Sequence, residues 1–148
     1  MNFKEIVEKL KKSGISVDQF AYEEIPYDEN FSEKALQAQK LKDEYLKSNQ
    51  KEGWYGSEEY KIHSKMPTKY TISQQEWLEK NEIPIWEEVA QYGGEGEGDT
   101  WYSVKYFPEH NIYIRVDGYY QSDYGTDFSG WDCLSEVTPK QKTITVYE

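Results

Sequence analysis

Pro84 separates two kinds of pattern in this chain. Helix-like periodicity and capping signals lie before it, and strand-like alternation broken by Gly and Pro turns lies after it. That segregation predicts an α+β fold, with N-terminal helices packed on a C-terminal antiparallel β-sheet, and it disfavours an alternating α/β arrangement. At 148 residues the expectation is a single domain, helical over 1–82 and sheet over 83–148.

Three segments of the front half read as helices. Phe3, Ile6, Val7 and Leu10 share one helical face, Asn2 and Glu5 are spaced as a capping box, and Gly14 is placed to stop the helix. Residues 15–31 show no single period, and Pro26 with Asp28, Glu29 and Asn30 marks a loop. A second helix is expected from Ser32 to about Ser48, with Ala35, Ala38, Leu41 and Tyr45 as its apolar stripe. Residues 57–71 give no clear pattern. Ser73-Gln-Gln-Glu76 has capping-box spacing and Ile72 and Trp77 stand as a hydrophobic staple, so a short third helix is expected over 74–81 with Ser73 as N-cap.

The back half predicts strands. Residues 85–92 alternate, with Trp86, Ala90 and Tyr92 on one face. Residues 100–107 and 112–120 form a hairpin around Pro108-Glu109-His110-Asn111, and Tyr102, Val104, Ile112, Ile114 and Val116 are expected to be buried. Residues 121–132 read as a polar, aromatic loop, and Thr143–Tyr147 as a last short strand.

Charge is distributed as unevenly as structure. Residues 75–148 carry 15 acidic and 5 basic side chains, a net of −10, while residues 1–74 carry −1 of the total −11. Such a surface repels phosphates, which argues against nucleic-acid or anionic-membrane ligands and favours a basic partner. Sixteen per cent aromatic residues argue against disorder. The single Cys133 permits neither an intrachain disulfide nor a thiolate zinc site. With two scattered histidines as well, no metal site and no cofactor is expected. No run approaches the ~20 apolar residues of a membrane span, and the start of the chain has no apolar leader segment, so a cytoplasmic protein is expected.

Few residues invite chemistry. The Gly93–Asp99 loop lacks the Lys-Ser/Thr pair of a phosphate loop, and its carboxylates would repel phosphate. Glu95, Glu97 and Asp99 have the oxygen chemistry of a cation site but not the EF-hand spacing, and a solvated hairpin loop is the simpler reading. Cys133 lies in an acidic stretch that would raise its pKa, and His63 and His110 are far from it in sequence. Asp117, Asp123, Asp127 and Asp132 lie near Tyr119, Tyr120, Tyr124, Phe128 and Trp131, a composition also found in small carbohydrate- or ligand-binding sites. Tyr and Trp are favoured anchors of protein interfaces, and carboxylates around them would select a basic partner.

The run Gly93-Gly-Glu-Gly-Glu-Gly-Asp-Thr-Trp-Tyr-Ser-Val, then Val116-Asp-Gly-Tyr-Tyr-Gln-Ser, then Glu136-Val-Thr-Pro-Lys-Gln-Lys-Thr-Ile-Thr-Val-Tyr resembles the tail of small uncharacterised proteins of tailed bacteriophages and prophages, over about residues 85–148. The resemblance implies an accessory role in the cytoplasm of a bacterial host, of the kind played by anti-restriction and anti-CRISPR inhibitors. The leading expectation is therefore a non-enzymatic acidic protein that occupies the basic, nucleic-acid-binding surface of a host defence protein such as a nuclease. Its contacts would be Glu95, Glu97, Asp99, Trp101, Asp117, Tyr119, Tyr120, Asp123, Asp127 and Trp131. The alternative is a small enzyme or carbohydrate- or ligand-binding module built on loop 117–132.

Overall fold

Local capping chemistry decides where the first helix begins. The Asn2 side chain accepts from the Glu5 backbone N–H at 2.9 Å and the Glu5 carboxylate accepts from that of Asn2 at 3.3 Å, so α1 runs Phe3–Ser13. Gly14 closes it at φ 85°, a left-handed conformation that glycine adopts without a Cβ penalty. The computed structural model describes residues 1–148, and the chain divides into two compact units. One comprises Met1–Glu24 with Pro84–Glu148, the other Ile25–Ile83. The first two dozen residues thus belong with the sheet.

In the sheet unit α1 is followed by α2, Val17–Ala21, opened by a second capping box between Ser16 and Gln19 that lay unread in the mixed stretch 15–31. The strands are β1 Glu87–Tyr92, β2 Thr100–Phe107, β3 Ile112–Gln121, β4 Gly125–Asp127 and β5 Leu134–Val137. All pairings are antiparallel: β1 with β2, β2 with β3, and both β4 and β5 with β3. The expected α+β architecture and the 100–107/112–120 hairpin are both present.

The hairpin corrects one expectation. Ile112, Ile114 and Val116 are buried, but Tyr102 and Val104 are not; the buried residues of β2 are Trp101, Ser103, Lys105 and Phe107. A four-residue turn sets Phe107 opposite Ile112, so odd positions on β2 share a face with even positions on β3. A serine and a lysine on the inner face gave that face a polar look in sequence. Strand β1 also departs from simple alternation. Its register slips between Glu88 and Ala90, a bulge that leaves Glu88 opposite Lys105 on the inner face and Ala90 and Tyr92 opposite Val104 and Tyr102 on the outer one. Trp86, Ala90 and Tyr92 therefore do not share a face; Trp86 is buried just ahead of the strand.

The sheet's inner face packs with the buried residues of this unit's helices. Phe20 meets Trp86 edge-on at 5.0 Å between ring centroids and lies 6.4 Å from Phe107 and 6.2 Å from Trp131. Lys105 is wholly buried among them. Its ammonium donates to the Ala21 carbonyl at 2.8 Å and pairs with Glu88 at 3.2 Å and Glu23 at 3.3 Å. Each carboxylate is held in turn: Ser103 donates to Glu88 at 2.6 Å, and the Trp86 indole donates to Glu23. The buried charge thus donates two hydrogen bonds and has a second carboxylate within 3.3 Å, the kind of compensation under which a buried ion is tolerated.

The second unit holds α3 Glu33–Asn49, α4 Glu58–Lys65 and α5 Lys69–Lys80. The Ser32 cap on α3 is as expected, its oxygen accepting from Ala35 N–H at 3.1 Å. Ser73 is not a cap. Thr68, directly after Pro67, forms a capping box with Thr71 and starts α5 a full turn earlier. Ser73 is buried inside α5, where its hydroxyl accepts from the Asp28 N–H at 3.1 Å and donates to the Asp28 carbonyl at 3.0 Å. Glu76, freed from capping, accepts from the Ser32 hydroxyl at 2.6 Å. Trp54 is buried beside Tyr60 and His63. His63 Nε2 is buried without a hydrogen-bond partner.

The remaining corrections concern the C-terminal part. Loop 121–132 contains β4, and a 3-10 turn at Trp131–Cys133 leads into β5. The strand expected at 143–147 is absent: residues 138–148 have no regular structure, and the strand that pairs with β3 is Leu134–Val137.

Three stability measurements follow from this packing. Thr68→Ala should cost ~1 kcal/mol in urea unfolding, through loss of the α5 cap. Lys105→Ala should cost at least about 3 kcal/mol, since it leaves a cavity and two carboxylates without their cation; Lys105→Met, which keeps the volume, should cost clearly less. His63→Phe should raise the unfolding midpoint by removing an unsatisfied buried nitrogen while keeping the aromatic contacts.

Candidate binding surface

With its odd positions turned inward, β2 presents Tyr102, Val104 and Tyr106 on the open face of the sheet, and β3 presents Tyr113, Arg115, Asp117 and Tyr119 beside them. The bulge in β1 adds Ala90 and Tyr92. Tyrosines stack across strands: Tyr106 on Tyr113 at 4.4 Å and Tyr92 on Tyr102 at 5.7 Å between ring centroids. These pairs are the cross-strand contacts that stabilise a half-exposed sheet face. They also stiffen the rings, so little side-chain freedom remains to be lost on binding.

Carboxylates are interleaved with the rings by register. Glu87 is opposite Tyr106, Asp117 opposite Tyr102, and Asp127 on β4 opposite Tyr119. Directly opposed residues project to the same side. One cation already occupies this lattice: the Arg115 guanidinium lies 4.0 Å from the Tyr102 ring centroid while its Nε donates to Asp117 at 2.9 Å. Ring and carboxylate therefore hold one guanidinium together, by cation–π attraction and a charge-assisted hydrogen bond.

The acidic loop borders this face. Glu95, Glu97 and Asp99 are all exposed, and no group of three His, Cys, Asp or Glu side chains in the molecule converges on a metal-sized point. Tyr92 stands against the loop; the Glu97 charge, with a smaller contribution from burial, raises its pKa, so the phenol stays neutral at physiological pH.

The remaining expected contacts are scattered in role. Trp101 is buried on the inner face, within 5.3 Å of Tyr22 and of Phe128, so it supports the sheet and is not open to a partner. Trp131 is half-buried against Phe20. Tyr119 is exposed, Tyr120 half-buried, and Asp123 exposed on the β3–β4 connection. Gly118 has no room for a Cβ, which would come within 2.4 Å of the Thr126 side chain and 2.7 Å of the Phe128 ring; those two side chains lie against β3 at that point because residue 118 has no side chain.

Folding of loop 117–132 also forms an open cleft of about 530 Å³, lined by Asp117, Tyr119, Asp127, Asp132 and Cys133 among others. It draws together three of the four aspartates expected there, while Asp123, Tyr124 and Trp131 lie outside it. Cys133 is a poor nucleophile in this setting: burial pushes its pKa up, and the nearby Asp117 and Asp132 charges push it the same way. The residues missed in sequence are Tyr102, Tyr106, Tyr113 and Arg115. For Tyr102 and Tyr106 the four-residue turn length, which fixes the parity of the hairpin, was the signal that turns them outward, whereas Tyr113 and Arg115 follow from alternation with the buried Ile112, Ile114 and Val116.

Compared with protein-family models, curated proteins and solved structures, the chain has no match.

The thiol provides a direct check. Cys133 in the folded protein should react with iodoacetamide at about pH 8 much more slowly than in urea, where its pKa returns to ~8.5. Because the folded thiol keeps its proton to higher pH than the unfolded one, the associated stabilisation is complete below the unfolded pKa and is lost as pH rises through the folded value.

Proposed function

We propose that this protein is a non-enzymatic binding protein that grips a basic protein surface with the open face of its sheet. The observation that carries the reading is Arg115, held at once by the Tyr102 ring and the Asp117 carboxylate. The same combination recurs, without a cation of its own, at Tyr106 with Glu87 and at Tyr119 with Asp127. Arginines or lysines of a partner fit those positions. The exposed carboxylates of loop 93–99 extend the negative field beyond the contact and speed encounter.

The finer reading takes the partner to be a host defence nuclease and the protein a phage or mobile-element inhibitor that occupies its nucleic-acid groove. It is supported by the acidity of the C-terminal half and by the resemblance to phage and prophage proteins. A second reading, a small-ligand or carbohydrate site, is favoured by the acidic cleft at Asp117, Asp127 and Asp132. Salt separates the two, because ion pairing across an exposed face is screened and recognition of a neutral sugar is not.

Reversing Glu95, Glu97, Asp99, Asp123 and Asp127 to Lys in small groups should weaken partner binding at least tenfold at physiological salt, about 1.4 kcal/mol. Tyr113→Ala and Tyr119→Ala should weaken it at both low and high salt, as loss of packed anchors does. The check is titration of each folded variant against purified defence nucleases and against an oligo-arginine peptide. Full binding by folded charge-reversed variants would leave the acidic surface a solubilising feature only.

A further inference from the structure

Thr143-Ile144-Thr145-Val146-Tyr147 is composed wholly of residues favoured in strands, with no Pro or Gly. It nevertheless has no strand partner, and Ile144, Val146 and Tyr147 are 78%, 72% and 93% exposed. Such a segment gains from pairing on two counts, its backbone groups and its apolar side chains. The sheet unit offers a place. Strand β1 pairs only with β2, so its other edge presents unmatched N–H and C=O groups along Glu87–Tyr92, all six residues of which are exposed.

We propose that residues 143–147 add as a strand to the free edge of β1 in a second copy of this chain, and that the reciprocal pairing closes a two-fold dimer. Charge favours this edge. Lys140 and Lys142 lead into the segment, and carboxylates stand at both ends of β1: Glu87 at its start, Glu95, Glu97 and Asp99 in the loop beyond its end. The lysines meet carboxylates whichever way the added strand runs. In an acidic chain that otherwise repels its own copies, this is a place where like molecules attract.

Topology favours a second copy over the same one. The segment follows β5, which lies beyond β3 and β2 from β1, three strand spacings or roughly 14 Å away. To reach its own β1, the chain would have to carry residues 138–142 across the sheet. The β1 of a neighbouring molecule requires no crossing. This inference does not depend on the basic-partner reading: it rests on a strand edge and on residues 143–147, leaves the open-face tyrosines untouched, and shares with that reading only Glu87 and the loop carboxylates.

The test is sedimentation of the full chain over a roughly hundredfold range of concentration, with amide hydrogen exchange at both ends of the range. The expected result is a dimer that dissociates on dilution and in high salt, with amides of β1 and of 143–147 protected only in the dimer. Val146→Lys should raise the dimer dissociation constant at least tenfold, and deletion of 138–148, which removes no packed residue, should give a folded monomer. A synthetic peptide of residues 138–148 should then bind that deletion variant and protect β1 amides. The proposal is overturned by a chain that stays monomeric with β1 exchanging freely, by a monomer whose 143–147 amides are protected through folding back on itself, or by a dimer that survives the deletion.

Discussion

The buried ammonium of Lys105 sets the orientation of the sheet. It gathers the end of α2 through the Ala21 carbonyl, the following loop through Glu23, and β1 through Glu88. A charge this deep is stable only where its oxygen partners are, so β2 can bury just one of its faces. The choice decides everything on the other side. With Lys105 inside, Tyr102 and Tyr106 are outside, and the hairpin register sets Tyr113, Arg115 and Asp117 beside them. The open face and the core are two consequences of one ion cluster.

What was legible in the sequence was local. Asn2, Glu5 and Gly14 bound α1, and Ser32 starts α3, because caps act within one turn. Pro108 to Asn111 fixed the hairpin for the same reason. What was illegible needed partners distant in the chain. Lys105 reads as a solvent residue until Glu23, more than eighty positions away, is placed against it. Ser73 has the spacing of a cap, but Thr68 outcompetes it and the hydroxyl goes to Asp28 instead. The expected contacts divided along the same line: Glu95, Glu97 and Asp99 are exposed, as a solvated loop in the sequence suggests, whereas Trp101 is an inward residue whose face only the register reveals.

Binding by this face would combine two terms of different range. Stacked tyrosines are preordered by their neighbours and act at contact. The carboxylates act across solvent within a Debye length, about 8 Å at physiological salt. Arg115 shows the two acting on one group, and it also neutralises Asp117. The free positions at Glu87 and Asp127 flank it on either side, spacing the attraction along the sheet.

The bulge at Val89 makes β1 a strand with two phases. Ahead of it, Trp86 and Glu88 point inward; behind it, Ala90 and Tyr92 point outward. Val89 is the one residue here that the ladder does not count: Glu88 lies opposite Lys105 and the next paired residue, Ala90, opposite Val104. Most substitutions at such an exposed position are absorbed locally, and loss of that residue would close the bulge into a regular strand, with Glu88 still at the lysine it serves and Tyr92 still opposite Tyr102. Homologous chains built on this sheet can therefore vary freely in the side chain at that position, and can differ by one residue between Trp86 and Tyr92, without changing which side chains face the core.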